Sequence, residues 1–163
     1  MSKPLSAFSG DTLYLDITVL YALLRGIEPG VRSLFARIEG GELRAYTSVL
    51  TFDELAYRML LALIRDRYGS SPLDRLRDQE RQMIEEFYPQ LAPHLHQLRT
   101  FPNMVLVDVA PSDLDVMDEA MLTYHLRPRD ALHLAAMQKC ECLDLVSHDP
   151  GFDHVPTVRR YAL

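Results

Sequence analysis

The stretch TLYLDITVLYALLRG, residues 12–26, places one carboxylate, Asp16, between a run that reads as buried strand and one that reads as apolar helix. An ionised carboxylate taken out of water costs several kcal/mol unless a partner, a helix terminus or a metal compensates it. Three further acids occupy the same kind of place. Glu54 falls in the first turn of the helix expected after a second strand, in TSVLTFDELA; Asp130 in the first turn of the helix opened by RPRD; Asp149 directly after a strand in LVSHDPGF. Each alone reads as a cap, since acids favour a helix's first turn and TFDE, Thr51 to Glu54, fits a capping box. Ser, Thr and Asn cap about as well as Asp, so capping does not require acids at all four places. If the four converge, two carboxylates about 4 Å apart repel by about 4 kcal/mol at an effective dielectric near 20. That raises a pKa or demands a cation. A hard divalent ion such as Mg²⁺ takes carboxylate and water oxygens and keeps waters that can act as nucleophiles, so the cluster points to chemistry at phosphate.

The elements that must position these acids follow from the apolar pattern. Residues 12–17, LRAYTS at 43–48, NMVLVDV at 103–109 and LDLVS at 143–147 read as strands, with TVRRYAL as a fifth. Helices are expected at 18–25, at 30–39 before Gly40 and Gly41, from Leu50 to about Tyr68, at 113–125 capped by Ser112, and from Pro128 to about Gln138. Between them, GSSP and a polar stretch from Leu73 to Thr100 predict helices interrupted near Pro89 and Pro93. Strands alternating with helices, and apolar throughout, predict an α/β fold: a five-stranded parallel sheet between two helical layers, in one domain spanning residues 1–163. In such a sheet the carboxyl ends of the strands and the following helix starts share one edge, which is where ligands bind. Acids remote in sequence can meet there.

A chain of 163 residues buries enough surface to hold a core without disulfides. Cys140 and Cys142, two apart with no second pair, offer neither a zinc site nor a disulfide framework and read as free thiols. The start of the chain lacks the parts of a signal peptide, and no uncharged run approaches a membrane span, so a cytoplasmic protein is expected. The net charge of −6 argues against dominant non-specific attraction to nucleic acid. All basic residues but Lys3 and Lys139 are arginine, however, which suits local phosphate contacts.

Other chemistry-bearing residues have blander readings. His133, three residues after Asp130, reads as packing beside the site or in the core ahead of ligating a metal, and His148 as pointing away from Asp149 ahead of contacting substrate. His94 and His96 do not share a helix face and read as surface. Arg127 and Arg129 suit salt bridges to nearby acids at least as well as phosphate contacts. RDQERQMIEE reads as a solvated helix face, and Met117 with Met121 as core. Nucleotide-binding glycine motifs are absent. DITV puts Thr18 where a haloacid-dehalogenase-like phosphatase has its second Asp, and neither lysine is placed for that family's phosphate contact.

Taken in order, YLDITVLYALLRG, TSVLTFDELAYRML, LRPRDALHLAAM and LVSHDPGFDHVP resemble the four motifs of the PIN-domain ribonucleases, most closely the VapC-type toxins of prokaryotic toxin–antitoxin pairs. The resemblance covers residues 12–60 and 104–162 and is most specific in RPRDALHLAA combined with DPGFD. It implies a PIN-like fold and metal-dependent hydrolysis of RNA, with Asp16, Glu54, Asp130 and Asp149 binding Mg²⁺ or Mn²⁺. It also implies supporting parts for Thr18, Ser147 and Asp153, products with a 5′-phosphate and a 3′-hydroxyl, and an antitoxin partner. The segment at about 65–100 is longer than a minimal PIN domain requires, and is expected to serve a homodimer or antitoxin interface. The alternative of another class is a PIN-like module that binds RNA or protein without cutting.

Overall fold

The computed structural model of the protein describes residues 2–163. Its sheet is parallel throughout, in the order β1 (Lys3–Pro4), β6 (Arg159–Ala162), β5 (Asp144–Val146), β2 (Thr12–Leu15), β3 (Arg44–Ser48), β4 (Met104–Val107). Five of these are the expected strands. The sixth, β1, pairs Lys3 with Tyr161 and Pro4 with Ala162; two exposed residues carry no alternation by which a sequence could declare a strand. The helices are α1 (Ile17–Arg25), α2 (Pro29–Glu39), α3 (Val49–Tyr68), α4 (Pro72–Asp78), α5 (Glu80–Arg99), α6 (Asp113–Tyr124) and α7 (Pro128–Lys139).

Alternation along β2 builds both layers. Leu13 and Leu15 enter a core with α1, α2, α3 and α5, whereas Tyr14 enters a second core with α6 and α7. A central strand buried on both faces is apolar throughout for this reason. A smaller third cluster, Leu60, Ile64, Leu76, Met83 and Phe87, fastens α4 and the start of α5 to the far end of α3, so the long segment at 65–100 carries a core of its own. Met117 and Met121 pack half-buried on the second core, and both cysteines are free. Among the described residues no helix is long and apolar enough to cross a membrane.

Several local expectations need correction. The first strand ends at Leu15, and its helix begins at Ile17 with Asp16 at the N-cap position. The third helix starts at Val49: the Ser48 hydroxyl accepts the Leu50 N–H at 3.2 Å, while Thr51 is buried within the helix against the Thr47 hydroxyl at 2.9 Å. TFDE is therefore no capping box, and Glu54 lies in the second turn rather than the first. Nor does Ser112 cap α6; its backbone is already helical, and the Asp113 carboxylate takes the Ala110 N–H at 2.7 Å instead.

The prolines do not interrupt α5. Met83, Phe87, Leu91, Leu95 and Leu98 anchor one continuous buried stripe, while Pro89 and Pro93 lie on the exposed face, where water can serve the carbonyls their rings deprive of partners.

Candidate active site

The chain runs from β2 outward to β3 and β4, then returns to β5 on the other side of β2. A parallel sheet opens a crevice at the carboxyl end of such a switch point. Asp16 stands at that end of β2. It makes no cap bond to its own helix; its Oδ2 instead accepts the Ser147 hydroxyl at 2.6 Å and the Thr18 hydroxyl at 3.2 Å. Ser147, buried beyond β5, also accepts the Asp149 N–H at 2.9 Å, so one hydroxyl ties both acids together. The Asp149 carboxylate takes the Gly151 N–H at 2.8 Å. A Cβ on Gly151 would stand 3.1 Å from Asp149 Oδ1 and 3.9 Å from Asp130 Oδ2, which explains a residue without a side chain under the two carboxylates.

Asp130 enters from the first turn of α7, and Glu54 from α3. With Asp16 and Asp149 they line one cavity of about 420 Å³. Burial pushes the Asp130 carboxyl above its ordinary range; Arg127 opposes that, and the charges of Asp149, Asp16 and Glu54 add to it. The four acids are thus within electrostatic reach of one another.

Arginines occupy the spaces between them. Arg127 lies 3.3 Å from Asp130 and 3.5 Å from Asp149, Arg58 lies 2.9 Å from Glu54, and Arg129 reaches Asp53 at 3.3 Å and Glu54 at 3.6 Å. Four carboxylates and three guanidiniums therefore share the cavity. Among the described residues no three carboxylate, imidazole or thiolate groups stand close enough to hold one ion as they are placed. In charge and hardness the acids suit Mg²⁺ or Mn²⁺. Loading such an ion requires side-chain rotation and the departure of Arg127, which is three-quarters exposed and held only by surface-type ion pairs.

The supporting residues divide. Thr18 and Ser147 hold Asp16 directly. Asp153 is not among the residues lining the cavity; it pairs with Arg160 at 2.8 and 2.9 Å, which holds its carboxyl below the ordinary range, and Arg160 also donates to the Ser147 carbonyl at 3.0 Å. The Asp153–Arg160 pair thereby braces Ser147 from behind. His148 turns to Glu28 at 3.1 Å, and His94 and His96 are exposed, as their spacing implies. His133 is buried at the cavity wall, with Nδ1 2.9 Å from the Tyr14 hydroxyl and Nε2 without a partner; burial lowers its pKa, against the charges of Asp16 and Glu54. Arg58 and the Tyr14–His133 bond escaped the sequence reading. The i, i+4 spacing of Glu54 and Arg58 was a signal for the first; nothing local announces the second.

The PIN domain model matches residues 13–158, nearly the whole chain, and the protein belongs to the PIN-domain family. No curated protein sequence matches the chain. Solved structures share its fold at low identity. VapBC2 from Rickettsia felis, bound to a DNA fragment from its promoter, superposes with a TM-score of 0.64 at 10% identity, covering 93% of this chain and 98% of that one. VapC20 of Mycobacterium tuberculosis, a sarcin-ricin loop cleaving toxin, gives 0.54 at 14% identity over 88% and 95%. A toxin–antitoxin complex from Klebsiella pneumoniae gives 0.52 at 14% over 90% and 94%.

Proposed function

We propose that the protein is a metal-dependent ribonuclease that hydrolyses RNA phosphodiester bonds, acting as the toxin of a toxin–antitoxin pair in the cytoplasm. The observation that carries this reading is the meeting of Asp16, Glu54, Asp130 and Asp149, from four separate segments, around one cavity at the switch point of the sheet. Membership of the PIN family and the likeness to toxins solved with their antitoxins support it.

Asp16, Asp149, Asp130 and Glu54 would hold Mg²⁺ or Mn²⁺, which when bound polarises a phosphate and acidifies water. Everything else falls to the chain's own groups. Ser147 and Thr18 fix one Asp16 oxygen and leave the other free. Asp130, and Glu54 directly or through water, would complete the shell or help take the proton of the attacking water. Arg127 and Arg129, released from the acids, can meet the incoming phosphate, and Arg suits that role by its planar fork of donors. An antitoxin would cover this face or the adjoining helices, and a homodimer would use the 65–100 segment.

The neutralising arginines, and the spacing that leaves no three acids around one ion among the described residues, favour a non-cutting RNA- or protein-binding module. Incubating purified protein with defined RNAs and Mn²⁺ or Mg²⁺ decides between the two. Cleavage that stops with EDTA and in Asp130→Asn is expected of a nuclease; cleavage that persists in both controls, or none with either ion, sinks the reading.

A further inference from the structure

The imidazole of His133 is 4% exposed, and its Nε2 atom has no hydrogen-bond partner although it lies at the wall of the acidic cavity. Leaving a buried polar group unmade costs about 1 to 3 kcal/mol, so such a group in a native fold calls for a use. Which use depends on where its proton sits. Tyr14 bears on that. Burial holds its hydroxyl well above the ordinary range, so it keeps its proton, and His133 Nδ1 at 2.9 Å is positioned to take it. The Ser48 hydroxyl, which accepts the Leu50 N–H, keeps a hydrogen that can serve the Tyr14 oxygen. The Tyr14 hydroxyl can donate to Nδ1, and the tautomer of the ring sets the direction of that bond. Nδ1 as acceptor leaves the hydrogen of the neutral ring on Nε2.

An Nε2–H cannot ligate a metal, and the acids whose charges reach the ring are served without Arg127 or Arg129: Asp16 by Ser147 and Thr18, Glu54 by Arg58. We infer that His133 donates its Nε2–H to a non-bridging phosphate oxygen of bound RNA, as an uncharged donor fixed by Tyr14, and takes no part in metal coordination. This rests on the ribonuclease reading. A neutral donor on a buried ring is effective against charge that develops on oxygen during reaction, and Tyr14, 2.9 Å from Nδ1, is its positioning residue.

Three measurements on the full chain test it. Long-range ¹H–¹⁵N correlation in EDTA should show Nδ1 bare and Nε2 protonated, and either inorganic phosphate or a short single-stranded RNA should move the Nε2 resonance while those of His94 and His96 stay. In cleavage assays with Mn²⁺, His133→Leu should lose about 10²-fold in kcat with KM little changed, and His133→Gln, which restores a donor, should stay within about threefold of wild type. Mn²⁺ should raise the melting temperature of His133→Leu as much as that of wild type. A hydrogen on Nδ1, an Nε2 that neither probe moves, wild-type turnover in His133→Leu, or loss of its Mn²⁺ shift overturns the inference. Should His133→Leu not fold, the spectra together with Tyr14→Phe, which should mix the tautomers, carry the same decision. Should wild type cleave no RNA, the ribonuclease reading falls and the phosphate titration alone decides the donor.

Discussion

At the scale of single residues, Asp130 bears the electrostatic cost of the site, because burial and three neighbouring carboxylates disfavour its charge more than Arg127 favours it. A carboxyl whose folded-state pKa is raised contributes stability that is present below the unfolded value, about 3.9, and is lost as pH rises through the folded-state value. Asp130→Asn should therefore melt above wild type at pH 7 in EDTA, and calorimetry between pH 3 and 7 should show the difference closing on the acid side. An equal gap at all pH values would contradict it. Ser147 gives a second case: Ser147→Ala removes the donor to Asp16 and the acceptor of the Asp149 N–H. A hydrogen bond to a charged group contributes about 1.5 to 3 kcal/mol, so loss of one to two orders of magnitude in cleavage rate is expected, with a melting temperature lowered by a few degrees. The four acids could be singled out because each lies where a strand ends or a helix begins, although Glu54 falls one turn later than its expected place. Their arginine partners were harder to single out, since Arg129 and Glu54 are 75 positions apart and only the folded chain makes them neighbours.

At the scale of elements, α5 shows tertiary packing overriding local preference. Pro89 and Pro93 are poor helix residues, yet the stripe from Met83 to Leu98 holds the helix through them. Pro89→Ala and Pro93→Ala should each stabilise the protein, by up to about 3 kcal/mol, because each restores an intrahelical bond on an exposed face. Urea unfolding checks this, and destabilisation would show that the helix needs its prolines. By contrast Phe87→Ala should cost about 3 to 5 kcal/mol, since it opens the small cluster that fastens α4 and α5 to α3. Helices α6 and α7 are locked differently. Lys139 at the end of α7 reaches Asp113 at 2.7 Å and Asp108 at 3.2 Å. Strands with continuous apolar runs could be read from the sequence, as could the helices that follow them. The early start of α3 could not, because Ser48 and Thr51 are equally good caps and only the burial of Thr51 against Thr47 separates them.

At the scale of the whole molecule, a parallel sheet with a switch at β2 explains why four segments spread from residue 16 to residue 149 deliver acids to one place. The fold supplies the edge, and the sequence supplies acidic charge that arginines balance across the cavity. An ion that binds only the native state stabilises it by about 2.7 kcal/mol at one hundred times its Kd, so Mn²⁺ should raise the melting temperature of wild type and much less that of Asp16→Asn. The central claim is that these acids can hold a common divalent ion once Arg127 withdraws. Anomalous scattering from crystals soaked in Mn²⁺ tests it most directly. The account predicts a peak between Asp16, Asp130 and Asp149 with the Arg127 side chain turned away; no peak in the cavity at saturating Mn²⁺, with Arg127 still bridging Asp130 and Asp149, would contradict it.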